Sequence, residues 1–235
     1  MRFQISYPLS SKSPLYPGTP QLTLHEVKSI AKGDSANTTL ISLSSHTGTH
    51  IDVPRHFCHG GKTVQDILGE RFELSPVYCI DVTGNPKNAI GISDIQPLIR
   101  QIPDGEGLLI RTGMHQFRAK DNDRYCTCHP WIHPELPQFL RTLFPSIRLF
   151  GTDTISISNP QHRAEGRECH RAFLCGDKPI LLAEDLNLSD PSLTSGPLTV
   201  TIYPWIIDAL DGVPVHAFAE LMPESDKQHT GMRIP

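Results

Sequence analysis

The amino-acid sequence predicts an α/β fold. Two mostly apolar runs, residues 77–82 and 107–111, have the composition of strands that are buried on both faces. Residues 131–144 place apolar side chains at helical spacing, as in a helix with one face on a core. Residues 198–207 and 213–218 are apolar runs joined through an Asp-Gly pair, which is a strong hairpin signal. Strands and helices that interleave in this way are typical of the α/β class.

Composition narrows the class of partner. The chain has 235 residues, enough to bury a sizeable core, and a net charge of −4. Its Lys and Arg residues are scattered, so neither nucleic acid nor a membrane surface is an expected partner. Because we find neither a signal core nor an apolar run of roughly 18 residues, we expect a cytoplasmic protein without a disulfide framework. We expect one domain over residues 1–222, followed by a polar tail over residues 223–235.

The first part of the chain reads as short strands separated by turns. Residues 3–7 predict a strand, and the prolines of residues 14–20 predict an irregular loop. Residues 39–45 predict a strand that ends where a histidine-rich segment begins. Residues 62–68 predict a short helix whose N-cap is Thr63.

Helices and strands are also predicted for the rest of the chain, and no internal repeat is evident. In chain order we expect a helix over 93–100, a polar loop over 121–129, the helix over 131–144, a strand over 147–151, a helix over 168–174 and a strand over 179–183. The chain then ends in the predicted hairpin, with Asp211 and Gly212 at its turn.

The histidine-rich segment, residues 46–57, reads HTGTHIDVPRHF. Four side chains of metal-binding type share one parity in it: His46, His50, Asp52 and His56. In an extended backbone all four would point to the same face, whereas the threonines, Gly48 and the following proline disfavour a helix. The first two histidines of a straight strand would lie roughly 13 Å apart, too far to share an ion, so we predict a bend at Gly48.

A single histidine in such a position is most often a surface or core residue, but four in-phase donors indicate a metal site. The segment resembles the signature HxGTHxDxPxH of the cyclase family of metal-dependent hydrolases, which includes bacterial kynurenine formamidases, isatin hydrolases and some lactone-opening enzymes. The resemblance implies that His46, His50 and Asp52 bind metal and that His56 is the acid/base beside them. It also implies a mixed sheet with flanking helices, of swivelling β/β/α type, and a homodimer.

The same resemblance extends to two more distant parts of the chain. It carries over His170 and Glu184 as the remaining metal ligands, with Asp185 left open as the alternative carboxylate. It matches residues 14–20 to a W-P-G-D-P loop that presents an aromatic ring to the substrate, so Tyr16 is expected to bind substrate although it replaces the Trp. Asp153 matches a G-x-D-T element and is expected either near the site or as a helix cap. The other histidines are expected at the surface: His25, His115, His129, His133, His162, His216 and His229.

Nitrogen and oxygen donors without a thiolate suit Zn²⁺, or alternatively Mn²⁺, as one ion or two. Zinc can lower the pKa of bound water from about 15.7 to about 7, which is on the order of 12 kcal/mol. We therefore predict attack of metal-bound hydroxide on a small amide, arylformamidase-like with N-formylkynurenine as substrate, and with His56 passing a proton to the leaving amine. The alternatives are opening of a cyclic amide or lactone, and a non-catalytic metal-binding protein.

Overall fold

The computed structural model describes residues 1–69, 71–83 and 89–223. The strands in these ranges are β1 (Arg2–Gln4), β2 (Thr23–Lys28), β3 (Thr38–Ser42), β4 (His50–Asp52), β5 (Phe72–Asp81), β6 (Ala89–Ile90), β7 (Gly107–Arg111), β8 (Trp131–Ile132), β9 (Leu149–Thr152), β10 (Leu181–Glu184), β11 (Leu198–Pro204) and β12 (Gly212–Leu221). The α-helices are α1 (Val64–Ile67), α2 (Ile92–Ile99), α3 (Asn122–Thr127), α4 (Leu136–Leu143) and α5 (Arg163–Leu174).

Seven strands close into a barrel in the order β12-β11-β5-β7-β9-β10-β4, because β4 pairs back with β12. Strand β1 pairs with β12 outside this ring. The run β5-β7-β9-β10 is parallel, and the remaining barrel pairs are antiparallel. The predicted α/β fold with a mixed sheet and flanking helices is confirmed.

Neighbouring residues of the parallel strands face two different cores. Leu109 of β7 belongs to an apolar cluster that draws side chains from all seven barrel strands and therefore fills the barrel. Leu108 and Ile110 belong to a second cluster, in which the sheet packs against α2, α4 and α5. Burial on both faces explains why these strands read as continuous apolar runs rather than as alternating ones.

The local signals for strands and helix caps are confirmed where they were strongest. The predicted strands at 77–82, 107–111, 147–151 and 179–183 correspond to β5, β7, β9 and β10. Thr63 caps α1 and its hydroxyl accepts from the Asp66 N–H, as predicted.

Two stretches were assigned wrongly. The predicted loop over 121–129 contains α3, which begins at an N-cap, Asp121, that accepts from the Arg124 N–H. The predicted helix over 131–144 is divided into β8, which pairs in parallel with β6, and α4, which begins only at Leu136. Helix α5 begins at Arg163 rather than at residue 168.

The strands near the two ends of the chain differ in detail from the prediction. Strands β11 and β12 are antiparallel partners as predicted, but residues 205–211 connect them, so Asp-Gly is not a tight two-residue turn. Strands β2 and β3 form a separate, exposed two-stranded sheet. Apart from Pro223, the predicted polar tail lies outside the described residues. Within the described ranges, no helix is long and apolar enough to cross a membrane.

The sequence was expected to hold no disulfide framework, yet two of the six cysteines are bonded to each other. Cys58 and Cys175 form a disulfide, whereas Cys79, Cys126, Cys128 and Cys169 are free. The bonded residues are 117 positions apart, and only the fold brings the turn after His56 against the end of α5. Sequence spacing carries no information about such a contact.

Candidate metal centre

The centre is built on β4, where His50 and Asp52 lie two residues apart and share a face. His50 is opposite Glu184 in the antiparallel pairing of β4 with β10, so the strand register brings these two side chains together. Gly48 has a φ of 67°, a left-handed conformation that glycine adopts at no steric cost. The predicted bend at Gly48 is therefore present.

The imidazole rings of His50 and His170 are each held so that Nε2 faces the carboxylates of Asp52 and Glu184. His50 Nδ1 lies 2.8 Å from the Gly48 carbonyl oxygen, and His170 Nδ1 lies 2.7 Å from the Gly166 carbonyl oxygen. Because a carbonyl can only accept, both Nδ1 atoms carry the proton and each Nε2 is left to bind another group. His50 Nε2 is 3.3 Å from Asp52 Oδ1, and His170 Nε2 is 3.6 Å from Glu184 Oε1.

The residues present fit a divalent metal ion. Asp52 is almost fully buried, and its Oδ2 has no hydrogen-bond partner in the part of the chain that the structure describes. A buried carboxylate oxygen without a partner is costly unless a cation satisfies it. Donor atoms within 4.8 Å of one another form two overlapping groups, His50-Asp52-Glu184 and His46-Asp52-His56, which share Asp52.

His46 lies between two carboxylates. Its Nδ1 is 2.8 Å from Asp52 Oδ1 and its Nε2 is 2.9 Å from Asp211 Oδ2. Burial lowers the pKa of His46, but these two carboxylates outweigh burial and raise it to about 10. A Cβ at Gly212 would lie 2.5 Å from His46 Cε1, so only glycine lets β12 approach the ring this closely.

Asp211 joins the site although the sequence indicated only a turn there. The same oxygen that contacts His46 lies 3.1 Å from His56 Nδ1, and Asp211 Oδ1 accepts from the Ser45 hydroxyl. Hydrogen bonds from His46 and His56 lower the pKa of Asp211 well below its usual range. The sequence held no signal for this role; in the fold, Asp211 immediately precedes the strand that closes the barrel on β4.

The two candidate distal carboxylates have different surroundings. Glu184 accepts from the Ser156 hydroxyl and the Ile157 N–H, and it faces His50 and His170. Asp185 instead accepts two hydrogen bonds from Arg118, at 2.7 and 2.6 Å, and another from Tyr125. Asp185 therefore belongs to a separate buried ion pair, and the arrangement favours Glu184 as the ligand.

Asp153 does not reach the histidine cluster. Its carboxylate accepts from the Thr112 and Gly113 N–H groups and lies 2.7 Å from His115 Nδ1. It thus anchors the backbone that leads into the 3₁₀ turn at residues 114–116.

The expectation that the remaining histidines are surface residues was wrong for two of them. The side chain of His115 is 7 % exposed beside Asp153, and His129 is 2 % exposed with Nδ1 next to the Pro130 carbonyl. His229 lies outside the described residues.

A cavity of about 350 Å³ opens in front of the cluster. All the predicted site residues line it: Tyr16, His46, His50, Asp52, His56, His170 and Glu184. Its size suits a small organic molecule. Phe57 also lines it and stacks on the His170 ring at 4.5 Å between centroids, which fixes the plane of that imidazole.

Buried imidazoles and carboxylates at one wall of an α/β barrel, with a further histidine beside them in an open cavity, are suited to metal-assisted hydrolysis. Residues 3–159 match the protein family described as "Putative cyclase", and the chain belongs to this family. The predicted membership is thereby confirmed, and the prediction of a hydrolase is confirmed by the relatives that follow.

Curated relatives cover most of the chain. It is 30% identical over 213 residues to the kynurenine formamidase of Bacillus cytotoxicus and 32% identical over 213 residues to that of Geobacillus thermodenitrificans. Both alignments cover 91% of this chain and 94% of the relative.

Solved structures share the fold at lower identity. Isatin hydrolase A from Labrenzia aggregata, bound to benzyl benzoate, matches with a TM-score of 0.74 and 22% identity, over 95% of this chain and 94% of that one. A structure described as a potential metal-dependent hydrolase with cyclase activity matches with a TM-score of 0.71 and 21% identity, over 95% of this chain and 99% of that one.

Proposed function

We propose that the protein hydrolyses the amide bond of a small aryl formamide, with N-formylkynurenine as the leading substrate. The observation that carries this proposal is the convergence of His50, Asp52, His170 and Glu184 on one cavity that also contains His56. The names of the curated relatives, kynurenine formamidase, support the choice of substrate.

The proposed metal ligands are His46, His50, Asp52, His170 and Glu184. We propose Zn²⁺, with Mn²⁺ as the alternative, because the donors are nitrogen and oxygen without thiolate. The two donor groups that share Asp52 support two ions, whereas a single ion would use only part of the set. A bound divalent ion supplies Lewis-acid polarisation of the carbonyl and a water of lowered pKa.

His56 is the proposed acid/base. Because Asp211 Oδ2 can only accept, His56 Nδ1 carries a proton at their 3.1 Å contact, and Nε2 is left to exchange a proton with the reacting groups. Asp211 would hold this tautomer and the ring plane, as a carboxylate does in other histidine acid/base pairs. The leaving amine would then take its proton from Nε2.

Replacing His56 tests this role. We expect His56→Ala to lower turnover by about 10² or more while metal content stays unchanged. The matched control is His59→Ala, since His59 is exposed in the same turn and does not line the cavity. Unchanged turnover in His56→Ala would contradict the assignment.

Opening of a cyclic amide or lactone is the second candidate. Tyr16 lines the cavity at the place where the resemblance implies a Trp, so the aromatic wall differs from the formamidase pattern. We propose that Tyr16 contacts the aromatic ring of the substrate in either reaction.

The function is tested by supplying metal-loaded protein with N-formylkynurenine, isatin and a simple lactone, and by measuring bound metal in the same samples. We expect turnover of N-formylkynurenine that a chelator abolishes and added Zn²⁺ or Mn²⁺ restores. Stoichiometric metal without turnover of N-formylkynurenine would contradict the leading proposal, and turnover of isatin alone would favour the second candidate.

We also propose a homodimer in the cytoplasm. The exposed apolar residues of the β2-β3 sheet, among them Leu24, Leu40 and Ile41, support a second copy as a partner. Light scattering after gel filtration measures the assembly, and a monomer mass at micromolar concentration would contradict the dimer.

The Cys58–Cys175 disulfide weighs against a cytoplasmic location, because such bonds are rare there.

A further inference from the structure

Helix α5 carries two arginines on the wall of the cavity. Arg163 and Arg167 line the cavity together with His170 of the same helix. Residues spaced by four and then three positions lie on one face of a helix, so these three side chains form a single row. The sequence prediction began this helix at residue 168, so neither arginine was assigned a role.

The guanidinium groups of Arg163 and Arg167 are not held in ion pairs within the described residues. Arg163 donates from Nε to the Pro160 carbonyl oxygen at 3.2 Å, which anchors the side chain but leaves its terminal nitrogens available. Within the described ranges, no carboxylate lies in salt-bridge distance of Arg163 or Arg167. Arg118, in contrast, is mostly buried, and its guanidinium group is paired with Asp185. Unpaired guanidinium groups at a ligand cavity are suited to bidentate binding of an anion.

The spacing of the two arginines from His170 along α5 shows where such an anion would be. A rise of 1.5 Å per residue places the Cα atom of Arg167 about 4.5 Å, and that of Arg163 about 10.5 Å, from the Cα atom of His170 along the helix axis. A group bound there is several bonds away from an amide that lies between His56 and the carboxylates. The anion is therefore a substituent of the substrate rather than the reacting group itself.

We propose that Arg163 and Arg167 bind a carboxylate on the substrate, so that the enzyme selects aryl formamides whose side chain carries a carboxylate. This inference rests on the proposed amide hydrolysis and names the substrate class of the same site. The two arginines are specificity residues, since they line the cavity without belonging to the donor groups around Asp52. A simple cyclic amide or lactone carries no such anion and would gain nothing from them.

The test compares two substrates that differ in one group: N-formylkynurenine and its decarboxylated analogue, N-formylkynuramine. In the double variant Arg163→Gln/Arg167→Gln we expect KM for N-formylkynurenine to rise about tenfold or more, with kcat within about twofold. For N-formylkynuramine, which keeps the ammonium group but has no carboxylate, KM should not rise and kcat should stay within about twofold. The control is Arg171→Gln, because Arg171 is exposed one turn further along α5 and does not line the cavity.

Binding without turnover separates this inference from the proposed reaction. Calorimetry of the metal-loaded protein measures the affinity for kynurenine and kynuramine, the corresponding deformylated compounds. We expect the wild type to prefer kynurenine, and the double variant, but not Arg171→Gln, to lose that preference by about tenfold or more. These binding results stand even if neither formamide is hydrolysed. Equal affinity of the wild type for both compounds, or an equal loss of both in the double variant, would overturn the assignment.

Discussion

The carboxylate of Asp211 lies between two histidines that face the cavity, His46 and His56. The histidines could be found from the sequence because metal and proton chemistry restricts the residue types and their parity within residues 46–57. Asp211 could not be found from the sequence. An aspartate before a glycine is a turn signal, and its contact with His56 joins residues that are 155 positions apart. Arg163 and Arg167 were not assigned because the predicted helix began only at residue 168.

Replacing Asp211 by Asn tests its role as a positioning residue. Asn has a similar shape, but it carries no charge and only one of its two terminal atoms accepts, so it can receive the imidazole N–H groups only as a weaker, neutral acceptor and loses the oxygen that accepts from Ser45. We expect kcat to fall about tenfold or more with KM little changed, because a carboxylate that orients an active-site histidine typically contributes 10-fold to 100-fold.

Steady-state kinetics at saturating metal measures this effect. Asp208→Asn is the matched control, since Asp208 is an exposed carboxylate of the same connection. If the kinetics of Asp211→Asn equal those of the control, Asp211 has no positioning role.

For single helices and strands, the local sequence was sufficient to predict caps and buried strands. It was insufficient to predict where some elements begin and end. The Thr63 cap and the apolar parallel strands were predicted because each depends on neighbouring residues only. Residues 131–144 have helical spacing throughout, yet tertiary pairing with β6 takes Trp131 and Ile132 into a strand. The short helix α3 was missed because its polar composition also suits a loop.

Helix α5 provides a prediction at this scale. A Cβ on Gly166 would lie 1.8 Å from Ser158 Oγ and 3.2 Å from Ser158 Cα, so the helix packs tightly against the segment that contacts Glu184. Ala normally stabilises a helix interior over Gly by about 1 kcal/mol. We nevertheless expect Gly166→Ala to lower the free energy of unfolding and the metal affinity, because α5 must move together with His170.

Denaturant unfolding and metal titration measure the two effects. The control Ala164→Gly, at an exposed position in the first turn of the same helix, should lose no more than the propensity difference of about 1 kcal/mol. A more stable Gly166→Ala protein would show that the contact with Ser158 is not restrictive.

For the whole molecule, the disulfide links two parts of the centre that are far apart in the chain. Cys58 follows the turn that carries His56, and Cys175 ends the helix that carries His170. Closing a loop of this length restricts the unfolded chain by about 4–5 kcal/mol in the loop-entropy estimate. We expect Cys58→Ser/Cys175→Ser to lower the free energy of unfolding by up to that amount.

Denaturant unfolding without reductant measures this loss, and Cys128→Ser, which removes an exposed free thiol, is the control. Titration of thiols in the denatured wild type should find four of the six cysteines. Six reactive thiols together with unchanged stability of the double variant would contradict the disulfide.

The pairing of β12 with β4 closes the barrel, and it also sets the order in which the centre can be assembled. The ribosome synthesises His46, His50, Asp52 and His56 well before Asp211 and the strand that follows it. Until that strand docks, β4 lacks one neighbour and the imidazole of His56 lacks its carboxylate. Metal captured by the nascent histidines would therefore not yet have a complete reaction site, so competence for turnover is acquired only after the final strand of the barrel has been synthesised.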